Sequence, residues 1–226
     1  MRGAIVLFSG GQDSTTCLYW AKQNFDVVRA VSVVYGQRHI SEIEAARKIA
    51  ELASVPHDVL HCEALKQIAD SALVGTDALT SAGGRHDVGT ADGLPSSFVP
   101  GRNIVLMTLA ASVAVKHGYR NIVSGVCQTD YSGYPDCRRP FVDALEITLN
   151  HGLPSSCGPF AIHTPLMYRT KAQTVLMAQD LPGCMEALAQ SVTCYNGSRP
   201  GCGKCPACDL RQKGFLEAGV KDPAEL

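Results

Sequence analysis

Two stretches of the chain carry residues whose types and spacing suit chemistry. The first is Val6–Thr15, "VLFSGGQDST". An apolar run leads into two glycines and then into Asp13, Ser14 and Thr15. Backbone N–H groups in such a loop, and in the first turn of a helix after it, converge on one spot. The helix dipole adds partial positive charge there. Gly10 and Gly11 permit close backbone approach and positive φ. Ser9, Ser14 and Thr15 can donate hydroxyl hydrogen bonds to phosphate oxygens. Yet the loop holds no lysine or arginine. It is not the Walker pattern G-x-x-x-x-G-K-[ST], and the third glycine of the dinucleotide fingerprint is missing. Amides, hydroxyls and a helix end must hold the phosphate, and any cation must arrive from elsewhere in the chain. Asp13 alone would repel an anion. It makes sense as a helix cap or as a Mg²⁺ ligand beside the phosphates. A bare Gly-Gly-Ser turn would read as a plain strand–helix connection; the full S-G-G-x-D-S string favours a nucleotide site.

The second stretch is "CYNGSRPGCGKCPACDLR" (Cys194–Arg211). Of ten cysteines, six are scattered, and Cys194, Cys202, Cys205 and Cys208 crowd together as C-x7-C-x2-C-x2-C. Thiolates two residues apart can turn back onto one ion, and four close a tetrahedral Zn²⁺ site. Gly201, Gly203, Pro200 and Pro206 supply tight turns, and Lys204 with nearby N–H groups can offset thiolate charge. With no open position, such a zinc is structural and ties the C-terminal segment near the active face. The competing reading is a pair of free C-x-x-C redox thiols.

These residues need a scaffold. Gly3–Phe8, Val27–Tyr35, His57–Cys62, Asn121–Val126 and Phe160–His163 read as strands. Between them Gln12–Gln23, Ser41–Ala53, Arg102–His117, Arg139–His151, Thr170–Gln179 and Pro182–Gln190 read as helices. Ser41 and Glu44 form a capping box. Arg102–His117 is apolar nearly all round and is expected to be buried. Alternating strand and helix predicts an α/β fold, a parallel sheet of about five strands covered on both faces. Ligands then sit beyond the carboxyl ends of the strands. Ser71–Pro100, rich in small and polar residues, reads as a functional loop or lid. Gln128–Pro140 follows a core strand where active-site loops belong. Residues 1–190 are expected to form the nucleotide-binding domain, and 191–226 a zinc-binding segment packed on it.

Bulk properties narrow the classes. The chain has 226 residues, 46% hydrophobic, with a formal net charge of −1. That suffices for one sizeable core. There is no basic excess of the kind that drives non-specific nucleic-acid binding, so no nucleic-acid partner is expected. No apolar run approaches the roughly 18 residues of a membrane span. The N-terminal run ends in Gly-Gly rather than in a cleavage pattern. A cytoplasmic location without membrane attachment is expected.

The loop string resembles the signature of the PP-loop, or N-type, ATP pyrophosphatase superfamily. That resemblance implies a Rossmann-like, adenine nucleotide alpha hydrolase-like sheet and an ATP site at Phe8, Ser9, Gly10, Gly11, Gln12, Asp13, Ser14, Thr15, Thr16, Cys17 and Leu18. Within the superfamily the chain is similar to the nitrile-forming ligases of queuosine biosynthesis, the 7-cyano-7-deazaguanine synthase family. The matching pieces are "FSGGQDSTTCL" (Phe8–Leu18), "YGQRH" (Tyr35–His39), "FVPGRN" (Phe98–Asn103), "GVCQTDYSGYPDCR" (Gly125–Arg138), "TPLMYRTKA" (Thr164–Ala172) and "GCGKCPACDLR" (Gly201–Arg211), with Cys194 ahead of the last. The family implies ATP with Mg²⁺, one structural zinc on Cys194, Cys202, Cys205 and Cys208, ammonia, 7-carboxy-7-deazaguanine as substrate, and a homodimer.

Chemistry agrees with that implication. Turning a carboxylate into a nitrile removes two oxygens, and adenylation gives each a leaving group. Missing cations could come from Lys171, Arg102, Arg138 or Arg139. Lys171, which begins a helix, is the first choice for phosphate contact. Arg102, Asn103, Asp130, Asp136 and Lys171 are the candidate catalytic or substrate residues. Asp130 and Asp136 could bind Mg²⁺ or accept from a guanine-like edge, or be solvated loop charges. Tyr131 and Tyr134 could stack on the base or pack the turn. The chief rival is a PP-loop tRNA-modifying enzyme, thiolase-like, which would use a cysteine pair such as Cys127 and Cys137. A non-enzymatic zinc module leaves the loop unexplained.

Overall fold

The computed structural model describes residues 1–36, 41–68, 98–129, 134–154 and 158–225. The five apolar runs form five strands: β1 (Gly3–Leu7), β2 (Val27–Val34), β3 (His57–His61), β4 (Asn121–Val123) and β5 (Ala161–His163). They lie in the order β3-β2-β1-β4-β5. Every neighbouring pair is parallel, with Ile5 level with Arg29 on one side and Ile122 on the other. β4 stops three residues short of its expected end. Beyond it the chain bends so that Gly125 runs against the backbone of Asp13 and Ser14.

Side chains alternate across the sheet, and each face buries its own cluster. Ala4, Val6 and Phe8 face one layer with Val28, Ala30 and Val123. That layer comprises α1 (Gln12–Asn24), α2 (Ser41–Leu52), α6 (Lys171–Asp180), α7 (Cys184–Leu188) and α8 (Pro206–Ala218). Ile5, Val31, Ile122 and Ile162 face the other. There α4 (Arg102–His117) and α5 (Arg139–Gly152) cover them. A short α3 (Ala64–Ile68) packs Leu65 against Val99. Burial on both faces explains why the strands read as apolar runs rather than as alternating ones. No helix among the described residues is long and apolar enough to cross a membrane.

Several expectations are corrected. α4 is buried along one stripe only, through Asn103, Met107, Ala110, Ala111 and Ala114. Small alanines let it lie close on the sheet, while Ile104 faces outward at 47% exposure. The Ser41 capping box does not form: Ser41 is already helical, and its Oγ has no partner among the described residues. The capping box sits instead on α6, where Thr170 and Gln173 bond reciprocally. α7 starts at Cys184 rather than at Pro182, because Gly183 turns at φ +78° before it. The lid expected at Ser71–Pro100 falls mainly outside the described residues. α8 was hidden in the sequence by its cysteines. Pro206 stands at its first turn and Gly219 ends it, the usual asymmetry of helix ends.

Ile5 is fully buried in the central strand. Ile5→Ala is expected to cost about 2–5 kcal/mol of stability, read as a lower urea midpoint at unchanged slope.

Candidate active site

A cavity of about 400 Å³ opens beyond the carboxyl ends of β1, β2 and β4. That is the place where open parallel sheets bind ligands. Its floor is the loop after β1, its walls are the residues after β2 and β4, and its rim includes α4, Lys171 and the segment leading into α8.

The loop is held from several sides. Gly10 has φ +79°, and a Cβ there would lie 2.7 Å from the amide N of Ala46 on α2. Both facts demand glycine. Gly11 is different: it is the N-cap of α1 with φ −83° and does not use the positive φ that a glycine permits. Gly10 O accepts from Val192 N at 3.1 Å. Gln12 N donates to Thr193 Oγ1 at 3.3 Å. Ser14 Oγ donates to Gly11 O at 3.1 Å and accepts from Ser9 N at 3.2 Å, so Ser9 Oγ, 3.1 Å away, donates to it. Phe8, Ser9, Gly11, Gln12, Asp13 and Ser14 line the cavity. Thr15, Thr16, Cys17 and Leu18 are fully buried on the inner side of α1 and do not. A hydroxyl contact from Thr15 to phosphate is therefore not offered. Thr16 Oγ1 bonds Gln12 O instead.

Asp13 is not a helix cap. Lys171 Nζ reaches it from the first turn of α6, at 2.7 and 2.9 Å from its two carboxylate oxygens. The cation missing from the loop thus arrives from a residue more than 150 positions away. Lys171 is itself confined, since a Cβ at Gly214 on α8 would lie 2.6 Å from Lys171 Cγ. α8 can seat against α6 only because that position has no side chain.

The opposite wall carries Arg102 and Asn103. Arg102 lies over the Tyr134 ring at 5.8 Å and hydrogen-bonds Tyr35. Asn103 N donates to Asp136 Oδ2 at 3.3 Å, and Asn103 Nδ2 reaches Asp136 O at 3.3 Å and Cys137 Sγ at 3.4 Å. Asp136 is buried and does not line the cavity. Its role in the structure is to hold the start of α4. Arg138 and Arg139 do not line the cavity either, and Arg139 is engaged by Asp143 and Thr164. Tyr134 lines the cavity, packed on Phe98. Asp130 and Tyr131 lie outside the described residues. Burial pushes the Cys137 thiol up to about 12. It stays protonated near neutrality, which is unfit for a nucleophilic pair with Cys127.

Sequence reasoning passed over Glu42, Tyr195 and Arg211, all on the cavity wall. Glu42 lies in the helix read over Ser41–Ala53 and received no role; burial raises its carboxyl to about 7, against the pull of Arg102. Arg211 is buried in a bidentate pair with Asp222, at 2.6 and 2.8 Å, and also donates to Ser191 Oγ and Thr193 Oγ1. No spacing rule links Arg211 to a partner across the C-terminal turn. Its only sequence signal was membership of the cysteine motif.

Beside this rim stand Cys194, Cys202, Cys205 and Cys208, with all four sulfurs within 4.8 Å of one another. Sγ of Cys208 is 3.9 Å from that of Cys202 and 3.4 Å from that of Cys205. Thiolates at 2.3 Å from one tetrahedral ion would stand about 3.8 Å apart, so the cluster fits a single metal. Burial alone would raise the Cys194 thiol. The Ser198 hydroxyl and the amides of Cys202, Asn196 and Ser198 outweigh it and bring the group down to about 6. Amide donors thus stabilise thiolate before any ion binds.

The model of the queuosine biosynthesis protein family QueC matches residues 3–219. The chain is 52% identical to the 7-cyano-7-deazaguanine synthase of Chromobacterium violaceum, over 97% of this chain and 92% of that protein. It is 46% identical to that of Bacillus subtilis, over 95% and 94%. Among solved structures, a 4-thiouridine synthetase in complex with RNA and ATP aligns with TM-score 0.53 at 13% identity, covering 96% of this chain and 50% of that one. A predicted tRNA methyltransferase subunit from Methanocaldococcus jannaschii aligns with TM-score 0.51 at 18% identity, covering 79% and 75%. These two share the fold. The chain belongs to the QueC family of queuosine biosynthesis proteins.

Lys171→Ala is expected to weaken ATP binding about ten- to a hundredfold, the worth of one charge-assisted hydrogen bond, measured by titration calorimetry. Cys205→Ser is expected to lose bound metal and stability together, because site formation is coupled to folding. Metal analysis and thermal melting of the purified variant check it.

Proposed function

We propose that this QueC-family chain is an ATP-dependent ligase that converts 7-carboxy-7-deazaguanine and ammonia into 7-cyano-7-deazaguanine. The observation that carries the reading is one cavity in which a cation-free phosphate loop, a borrowed lysine and an arginine–tyrosine wall meet. The chain that builds it is about half identical to synthases of that name along nearly its whole length.

The loop amides and the start of α1 cradle the phosphates of ATP. Lys171 supplies the cation and, on binding, shares its charge between Asp13 and the nucleotide. Mg²⁺ comes with ATP, and Asp13 is the described loop carboxylate suited to ligate it. With no Walker lysine gripping the β- and γ-phosphates, substrate oxygen attacks the α-phosphate and pyrophosphate leaves. Ammonia then displaces AMP to give the amide. A second adenylation, on the amide oxygen, permits elimination to the nitrile. The chain's contribution is positioning and charge stabilisation. Arg102 and Tyr134 form the wall that orients the deazaguanine carboxyl group. The zinc on the four cysteines is structural: it folds the C-terminal segment, residues 191–226, onto the domain of residues 1–190. The protein works in the cytoplasm as a homodimer. The thiolase-like alternative is not favoured, because its cysteine pair would rest on the protonated Cys137.

The product balance tests this. Protein supplied with ATP, ammonium and 7-carboxy-7-deazaguanine should form the nitrile, detected by mass, with one AMP and one pyrophosphate for each oxygen removed. Substrate labelled with ¹⁸O in its carboxyl group should pass label to AMP, and an amide should appear early. ADP with labelled inorganic phosphate would mean γ-phosphoryl transfer and would overturn the adenylation route.

A further inference from the structure

The reaction sheds protons as well as oxygens, and the roles so far assigned include no group to take them. Forming the amide from ammonia and the acyl-adenylate makes a C–N bond, breaks the C–O bond to AMP and releases one proton from nitrogen. In the second half-reaction the amide oxygen bonds to the α-phosphorus and pyrophosphate leaves. Nitrogen then loses one proton to give the neutral imidate. It loses a second as the N–H electron pair becomes the third C–N bond and the C–O bond to AMP breaks. Each of these protons must leave a cavity whose walls are largely apolar.

Among its described lining residues the cavity has two carboxylates, Asp13 and Glu42. Asp13 is held by both oxygens on Lys171. Its negative charge is committed to the phosphate side of the site. Lys171 carries positive charge there and is no acceptor. The Cys137 thiol is protonated, and burial raises the Tyr195 phenol further above its ordinary value. Glu42 remains. It is half-buried on the first turn of α2, with its backbone carbonyl against Gly10 of the loop. It lines the same cavity as Ser9, Gly11, Asp13 and Ser14 of the loop. The groups that act on it electrostatically are Arg102 from α4 and, more weakly, Cys194 of the metal cluster.

We propose that the Glu42 carboxylate is the catalytic base that takes protons from the substrate nitrogen in amide formation and in dehydration of the amide to the nitrile. The proposal rests on the ligase reading above. Support comes from its acidity: at about 7, the group is ionised in a substantial fraction near neutrality yet basic enough to accept a proton, which is where a general base works best. Its partial exposure lets the proton pass on to solvent between steps.

The test separates proton transfer from adenylation. Glu42→Gln keeps size and polarity but cannot accept a proton. ATP–pyrophosphate exchange that depends on 7-carboxy-7-deazaguanine, measured without ammonia, should stay near that of the parent protein. Nitrile formation should fall by about 10²–10⁴-fold, the usual contribution of a general base, and Glu42→Asp should recover part of it. Parallel loss of exchange and nitrile formation in Glu42→Gln would overturn the proposal, because Glu42 would then serve binding or adenylation. Unchanged nitrile formation would overturn it as well. Absence of substrate-dependent exchange in the parent would overturn the ligase reading and this proposal with it.

Discussion

The site depends on a cavity-lining loop after β1 that has no cation of its own. Amides and a helix end offer partial charges, enough to orient a polyphosphate but not to neutralise it. The structure resolves this by bringing Lys171 across from α6 to Asp13, where the lysine side chain is 14% exposed and the aspartate 29%. A partly buried lysine without a counter-charge would be costly. Asp13 therefore compensates Lys171 and aims it at the loop, which gives the acid in the loop a structural reason. This pairing requires α6 to lie beside α1, and so requires β5 and the residues after it to close the sheet.

The C-terminal segment enforces that geometry at two points. α8 packs on α6 across Gly214, which restricts the stem of Lys171. Arg211, one turn earlier on α8, donates to Thr193 Oγ1, and the same oxygen accepts from Gln12 N at the start of α1. A chain of hydrogen bonds thus runs from the Asp222 carboxylate through Arg211 and Thr193 to Gln12 at the end of the loop. Buried pairs of this kind are weak sources of net stability, but breaking one leaves an uncompensated charge costing about 3–5 kcal/mol. The four-cysteine cluster sits at the start of the helix that carries both contacts, with Cys205 as its N-cap and Cys208 in its first turn.

Much of the fold was legible because a doubly covered parallel sheet writes its strands as apolar runs. All five strands and their alternation with helices could be read that way, as could the cysteine cluster from its spacing. Local signals failed where tertiary contact decides. Ser41 and Glu44 satisfy the capping pattern, yet Ser41 enters the helix itself. Thr15 shares the loop string with Ser14, but helical periodicity turns it into the core. Arg138 and Arg139 have the charge a phosphate needs, but α5 carries them off the cavity, and Asp143 takes Arg139. The Lys171–Asp13 pairing was not legible: Lys171 was expected on a phosphate, and Asp13 as a helix cap or Mg²⁺ ligand, and the two meet each other. Glu42 gave no signal because its acidity comes from burial beneath other elements.

One cavity places Asp13 and Glu42 in different surroundings, and the roles proposed for them differ accordingly. Asp13 meets the Lys171 ammonium at hydrogen-bond distance and fixes that cation in place. Glu42 meets a desolvating wall, with Arg102 only partly offsetting the cost of its charge. Exchanging the two environments would ruin both roles. The Lys171 ammonium occupies both oxygens of Asp13, and a carboxylate raised by burial, like Glu42, would hold a lysine poorly. Carboxylates in different surroundings are a general way to run electrostatic and acid–base work side by side. Here the separation follows from the fold: α1 meets α6 at one end of the loop, while α2 turns its first residues inward at the other.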